Sequence, residues 1–202
     1  MLRFAALALD NLFGDLCTTT SSWNPRTFFA MDLFEAIRSR RSIRAYDRQK
    51  VSDDAIEIIL RAGMAAPSAG NEQPWEFLLI RNRQTLERIS EAHPYADMVS
   101  HVPLAILVCC NLTRVRHRDF WIQDLAAATQ NMLLAAHAMG LGSVWVGVHP
   151  REKRVTELRA VIALPDEIVP FAILPIGHPA EQRPPEDRYE EHRVYREEWG
   201  QR

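Results

Sequence analysis

The stretch "LAILVCC", Leu104–Cys110, runs without a polar interruption. It is far shorter than the ~20 apolar residues a membrane-spanning helix needs, and a strand of this kind must be covered on both faces. A second run, "IVPFAILPIG", Ile168–Gly177, sends the same signal. Its Pro170 and Pro175 demand a sheet edge or a bend, because proline brings no N–H to a ladder.

Helical periodicity fills the intervals. Asp32 can cap a helix in which Leu33, Phe34 and Ile37 follow at helical spacing, with its end expected near Arg41. Ser52 can cap a second helix with Ile56, Ile59, Leu60 and Gly63 on one face, stopped by "APSAGNEQP". "QTLERISEA" reads as a short helix between "LAILVCC" and the strand "WEFLLI", where Trp75, Phe77 and Leu79 alternate. The longest periodic segment, Asp119 to Met139, repeats Ile122, Leu125, Ala126, Thr129, Met132, Leu133 and Ala136 and stops at Gly140. Its alanines suit close helix approach, at the centre of the fold or at a subunit interface. "SVWVGV" then reads as a strand and Glu152 to about Val161 as a helix. Alternation without internal repeats predicts a sheet layered between helices. Strand order is not written in these local patterns.

Bulk properties narrow the classes. A chain of 202 residues with 47% hydrophobic content has room for one sizeable core and needs no second domain. A net charge of -2 speaks against a nucleic-acid partner, which requires a basic surplus spread over a face. Cys17, Cys109 and Cys110 form no disulfide framework and no C-x-x-C spacing, so the adjacent pair is expected to point to opposite sheet faces in a reducing cytoplasm. No apolar run approaches the length of a membrane span. The opening "MLRFAALALDNLF" is broken by Asp10, and Met31 looks the more natural start, so residues 1–30 are expected to be an extension, disordered or an artefact of start-site choice. The seven histidines are scattered without metal-ligand spacing, and Ser68 lacks a nucleophile elbow, so neither a metal nor a catalytic side chain is assigned.

Two segments carry chemistry. "RSRRSIRAY" gathers Arg38, Arg40, Arg41 and Arg44 just past a helix end. With a spacing of two in extended chain, Arg40, Ser42 and Arg44 face one way, a receptor for a phosphate. Alternatively, the arginines neutralise the helix C-terminus. "PSAGNEQPW" offers the Ser68 hydroxyl and the Asn71 and Gln73 carboxamides. A carboxamide has a donor beside an acceptor and complements an imide edge, while the alternative is ordinary turn chemistry.

Taken together, "RRSIR", "APSAGNEQPW", "GLGSVWVG", "PIGHP" and a tail ending "RYEEHRVYREEW" resemble the nitroreductase family of flavin-dependent oxidoreductases, from Asp32 to Trp199. The resemblance implies an α+β fold of three α-β-α layers, a mainly antiparallel central sheet, and an interleaved homodimer. It implies an FMN-binding domain over residues 31–180 and a C-terminal arm, 181–202, packing on the partner subunit. Arg40, Arg41, Ser42 and Arg44 would contact the FMN phosphate and ribityl chain, with Arg44 supplying charge near flavin N1 and O2. Pro67, Ser68, Ala69, Asn71 and Gln73 would come from the mate. Val146 and Gly147 would bring backbone N–H groups to flavin N5 and O4, where glycine leaves room for a flat ring. Arg188 would return from the arm to the phosphate. A single phosphate accords with the lack of a G-x-G-x-x-G fingerprint. The implied reaction passes a hydride from NADH or NADPH through FMN to a small electron-poor acceptor, a nitroaromatic or quinone. Dehalogenation or flavin breakdown on the same scaffold, or a flavin-binding sensor without turnover, stay open beside it.

Overall fold

In the computed structural model, which describes residues 31–201, the chain runs α1 (Leu33–Ser39), α2 (Asp53–Met64), β1 (Trp75–Ile80), α3 (Arg83–Ala92), β2 (Leu104–Asn111), α4 (Trp121–Ala138), β3 (Gly142–Ser143), β4 (Val146–Gly147), α5 (Glu152–Ile162) and β5 (Ile168–Gly177). The expectations for residues 1–30 lie outside the described residues. Local chemistry sets most helix starts. Asp32 Oδ1 accepts from the Phe34 N–H (2.9 Å), Ser52 Oγ from Ala55 N–H (3.2 Å) and Asn82 Oδ1 from Thr85 N–H (3.0 Å), so each occupies orphan donors of a first turn. α4 stops where Gly140 takes φ 76°, a left-handed conformation cheap only for glycine. α1 ends two residues earlier than expected, at Ser39 with Arg40 as its C-cap.

All strand pairs are antiparallel, in the order β1-β2-β5, and both β3 and β4 pair with the far side of β5. β2 is buried along its length and its residues alternate between two cores. Leu104, Ile106, Val108 and Cys110 join Ile56, Ile59, Leu125 and Met132 under α2 and α4. Ala105, Leu107 and Cys109 join Leu86, Ile89 and Leu158 under α3 and α5. Cys109 and Cys110 thus face opposite layers, and burial pushes both thiols up to about 12. The three-layer α-β-α arrangement stands. Among the described residues, no helix is long and apolar enough to cross a membrane.

Of the edge or bend expected for β5, it is the bend that forms: the strand has partners on both sides, and its prolines sit at irregularities. The register with β2 passes from Val108↔Ala172 to Cys109↔Pro170, leaving Phe171 as an extra residue in a bulge at Pro170. On the other side, "SVWVGV" does not form one strand. β3 pairs with Gly177 and Ile176 and β4 with Ile173 and Ala172, so Val144 and Trp145 drop out opposite Leu174 and Pro175. Pro175 has no N–H to offer there, and the ladder opens around it.

Some apolar spacings look outward. Leu33, Phe34 and Ile37 of α1 are 61%, 78% and 55% exposed, so the face that marked the helix lies outside this chain's own core. Ile122 and Leu79 are exposed too, at the ends of their elements.

Candidate functional site

Past α1, the arginine segment is bound on both sides by its backbone. Ile43 N–H donates to Ser143 O (3.0 Å), while Ala180 N–H donates to Ala45 O (2.9 Å) and Asp47 N–H to His178 O (2.9 Å). Ile43 is its apolar anchor. A Cβ at Gly142 would stand 2.8 Å from Ile43 Cγ2, so glycine is what lets the segment lie against β3. Extended geometry then sorts the side chains. Arg41 and Ile43 line one cavity, where Arg41 donates to the Pro184 carbonyl and pairs with Glu186 (3.2 Å). Arg44 turns to a different cleft. Ser42 is half-buried between them.

Arg40 carries the clearest electrostatic mark. Burial first, then the neighbouring guanidiniums of Arg188 and Arg41, pull it below its ordinary value. Half-buried Arg40 thus has two further guanidiniums nearby, a setting whose repulsion an anion would relieve. The start of the C-terminal arm lies here on its own chain. Glu181 Oε1 accepts from the Arg44 N–H (2.5 Å) and the Ala45 N–H (3.2 Å), and Glu186 pairs with Arg188 (2.8 Å) as well as Arg41. Arg38 is not part of the cluster; it pairs along α1 with Glu35 (2.6 Å).

The second segment is a tightly wound loop. Gly70, Asn71 and Gln73 take φ of 58°, 55° and 48°, and a glutamine in that region is strained. Ser68 Oγ accepts from the Gln73 N–H (3.0 Å), and Gln73 Nε2 donates to Asn71 Oδ1 (3.0 Å). Ala69 N–H donates to Asp124 Oδ1 (2.9 Å), and Glu72 accepts from the N–H groups of Arg116 (2.9 Å) and His117 (3.1 Å). The carboxamides of Asn71 and Gln73 thus sit on an exposed, well-braced turn behind Pro67.

β4 brings the third part. Val148 N–H donates to Phe171 O (3.0 Å), and ladder bonds recur at every second residue, so Val146 is a position bonded to β5 and Gly147 one that faces away. Accordingly the Gly147 carbonyl accepts from His93 Nε2 (2.9 Å) and Arg154 Nη1 (3.0 Å). A Cβ built at Gly147 would meet nothing within 4 Å, so a free space flanks its backbone. Around it lies a cleft of about 460 Å³ that Arg44, Tyr95, Trp145 and Arg154 help to line.

The structure therefore brings Arg44 and Gly147 to one cleft, and Arg40, Arg41 and Arg188 to one charged cluster. It does not bring the Asn71–Gln73 turn to them. That turn hangs from Asp124 near the start of α4, whereas Ser39 Oγ lies 2.8 Å from His137 Nε2 in the last turn. Thirteen residues of helix separate the two anchors, about 20 Å at 1.5 Å per residue.

His93 and Arg154 were not anticipated, and no local motif marks them. Asp124 had a signal: it is an acid in register with the buried stripe Ala128, Met132 and Ala136.

Comparison with known proteins identifies relatives. A model of the Nitroreductase family matches residues 37–93 and 91–178. A Methanothermobacter thermautotrophicus protein, provisionally named NADH dehydrogenase/NAD(P)H nitroreductase, is 46% identical over 84% of this chain and 88% of its own. The crystal structure of a provisionally named NADH oxidase from Clostridium acetobutylicum superposes with a TM-score of 0.79 at 39% identity, covering 81% of this chain and 99% of that one. A provisionally named nitroreductase from Desulfovibrio desulfuricans, solved in complex with FMN, has a TM-score of 0.73 at 34% identity, covering 88% and 99%.

Proposed function

This chain belongs to the nitroreductase family, and on that premise we propose that it is an FMN-dependent oxidoreductase that takes electrons from NADH or NADPH and delivers them to a small electron-poor acceptor. The observation that carries the reading is the meeting of Arg44 with Gly147 at one cleft, where glycine's missing side chain leaves space for a flat ring beside the backbone.

The residues fit the cofactor part by part. Arg40, Arg41 and Arg188 would hold a single phosphate, and relief of their mutual repulsion favours the dianion over neutral ligands. Ser42 would add a hydroxyl donor. Arg44 would place positive charge at the ring end of the same segment. Gly147 would offer its N–H from the side of β4 that faces away from β5. FMN held by these residues would supply the redox chemistry, hydride acceptance from a nicotinamide and electron donation to a quinone or nitroaromatic. No side-chain nucleophile is required of this chain.

The remaining contacts call for a second copy. Pro67, Ser68, Ala69, Asn71 and Gln73 would serve the site of the partner subunit, a reading supported by their anchor at Asp124, about 20 Å along α4 from the His137 that holds Ser39. The exposed apolar face of α1 is suited to the same homodimer, which would also receive the distal arm beyond Tyr189.

Purified protein is expected to be yellow, to bleach on anaerobic mixing with NADH or NADPH, and to regain colour when a quinone or nitroaromatic is added. A colourless protein that takes up no added FMN would overturn the reading. A yellow protein that no nicotinamide cofactor bleaches would instead be a flavin-binding module.

A further inference from the structure

A tryptophan stands on the wall of the cleft at Gly147. Trp145 is 36% exposed and lines that cleft, and its indole packs edge-on against Phe171 with 5.6 Å between ring centroids. Phe171 is buried and meets Trp121 in turn (6.3 Å), whose ring also packs on His149 (4.7 Å). The indole is therefore braced by a packed aromatic row, while over a third of the residue is left uncovered.

The register fixes the side to which this ring turns. β3 and β4 pair with β5 in one continuous register, Gly142 with Gly177, Ser143 with Ile176, Val146 with Ile173 and Gly147 with Ala172, so Trp145 falls opposite Leu174 although the ladder is open there. Alternation thus carries across the gap. Val144, Val146 and Val148 all enter the core under α3 and α5. Trp145 and Gly147 turn to the opposite face, where Leu174 and Ala172 join the core under α2 and α4. The open space at Gly147, where a Cβ would meet nothing within 4 Å, is then on the indole's side of the chain. A step of two residues along a strand covers about 6.6 Å. A three-ring system resting on Gly147 in a cleft of about 460 Å³ reaches farther than that step, and the indole becomes its neighbour.

We propose that the Trp145 indole packs against the flat ring bound at Gly147 and favours the oxidised state of that ring. This rests on the flavin reading above. The face of an indole is electron-rich and an oxidised isoalloxazine is electron-poor, so their contact is stronger before reduction than after it. Phe171 holds the indole at its angle, which makes Trp145 a fixed wall of the site.

Trp145→Phe and Trp145→Leu test it in the FMN-loaded protein. Loss of the ring in Trp145→Leu is expected to raise the Kd for oxidised FMN about tenfold, whereas Trp145→Phe, which keeps a ring, should stay within about threefold of the parent. With reduced FMN bound as before, the tenfold loss raises the two-electron potential of the bound flavin by about 30 mV in Trp145→Leu. Flavin emission reports the contact independently. An indole against an excited flavin quenches it by giving one electron and taking the same electron back, which phenylalanine does not do. Tyr95 lines the cleft and can quench too, so emission is compared in a Tyr95→Phe background. Bound FMN should be dim there with Trp145 in place and severalfold brighter once Trp145→Phe is added. The proposal is overturned if Trp145→Leu binds oxidised FMN as the parent does, if its potential fails to rise, or if Trp145→Phe leaves the emission unchanged. Should Trp145→Leu fail to fold, the emission of Trp145→Phe decides by itself. Failure of the parent protein to bind FMN would remove the flavin reading and this contact together, whereas normal binding with unaffected variants removes only this contact.

Discussion

Ser39 Oγ lies 2.8 Å from His137 Nε2, which fastens the end of α1, and with it the arginine segment, to the last turn of α4. The Asn71–Gln73 turn is fastened near the other end of the same helix, through Ala69 and Asp124. An α-helix is a rigid spacer, so the two anchors, Asp124 and His137, stand about 20 Å apart along it.

Complementation follows from this separation. Arg40→Ala and Asn71→Ala proteins should each bind FMN poorly, yet a mixed dimer of the two should regain one intact site of its two. Flavin bound per dimer, measured after co-expression and purification of the tagged heterodimer, checks it. Dimers that stay empty would place all contacts within one chain.

Asp124 should matter for stability before it matters for binding. It is 6% exposed, and replacing it with alanine leaves the Ala69 N–H without its acceptor, at a cost of about 1–3 kcal/mol. Urea midpoints for Asp124→Ala and Asp124→Asn, the latter retaining an acceptor oxygen, should separate this loss from that of charge.

Two glycines should respond oppositely. Gly142→Val drives a side chain into Ile43 and should destabilise by about 1–3 kcal/mol while displacing the arginine segment. Gly147→Ala meets no atom within 4 Å, so its melting temperature should hold while its affinity for FMN falls. Parental flavin affinity in Gly147→Ala would mean that no ring approaches that backbone.

Acid should destabilise the fold through its histidines. Burial lowers His93, His137 and His149 below their ordinary value of 6.5, aided by Arg40 at His137, and by Arg154 at His93 against the opposing Gly147 hydrogen bond. Between the folded values and 6.5 the unfolded chain holds more protons, so this stability is complete above 6.5 and is lost as pH falls through that window. Melting temperatures at pH about 7.5 and about 5.5 should differ in that sense, and His93→Gln should narrow the gap.

Much of the architecture was legible because its causes are local. Asp32 and Ser52 cap the helices they precede, Gly140 ends α4, and the unbroken apolar run of β2 required cover on both faces, which α2 with α4 and α3 with α5 provide. The arginine and carboxamide segments could be located in the same way, because their residue types stand out locally. The spacing of Leu33, Phe34 and Ile37 marked a helix correctly, but periodicity does not say which face its own core will cover.

The amino-acid sequence by itself determined which segments are helices, which are strands, and which side chains carry charge or carboxamides, since each depends on neighbours within a few residues. Only the tertiary structure decided that Pro175 opens the ladder into β3 and β4, that the arginine segment and the carboxamide turn are anchored at opposite ends of α4, and that His93 and Arg154 meet on Gly147. Those outcomes depend on partners supplied by the fold across the sheet and between layers, and no periodicity along the chain records them.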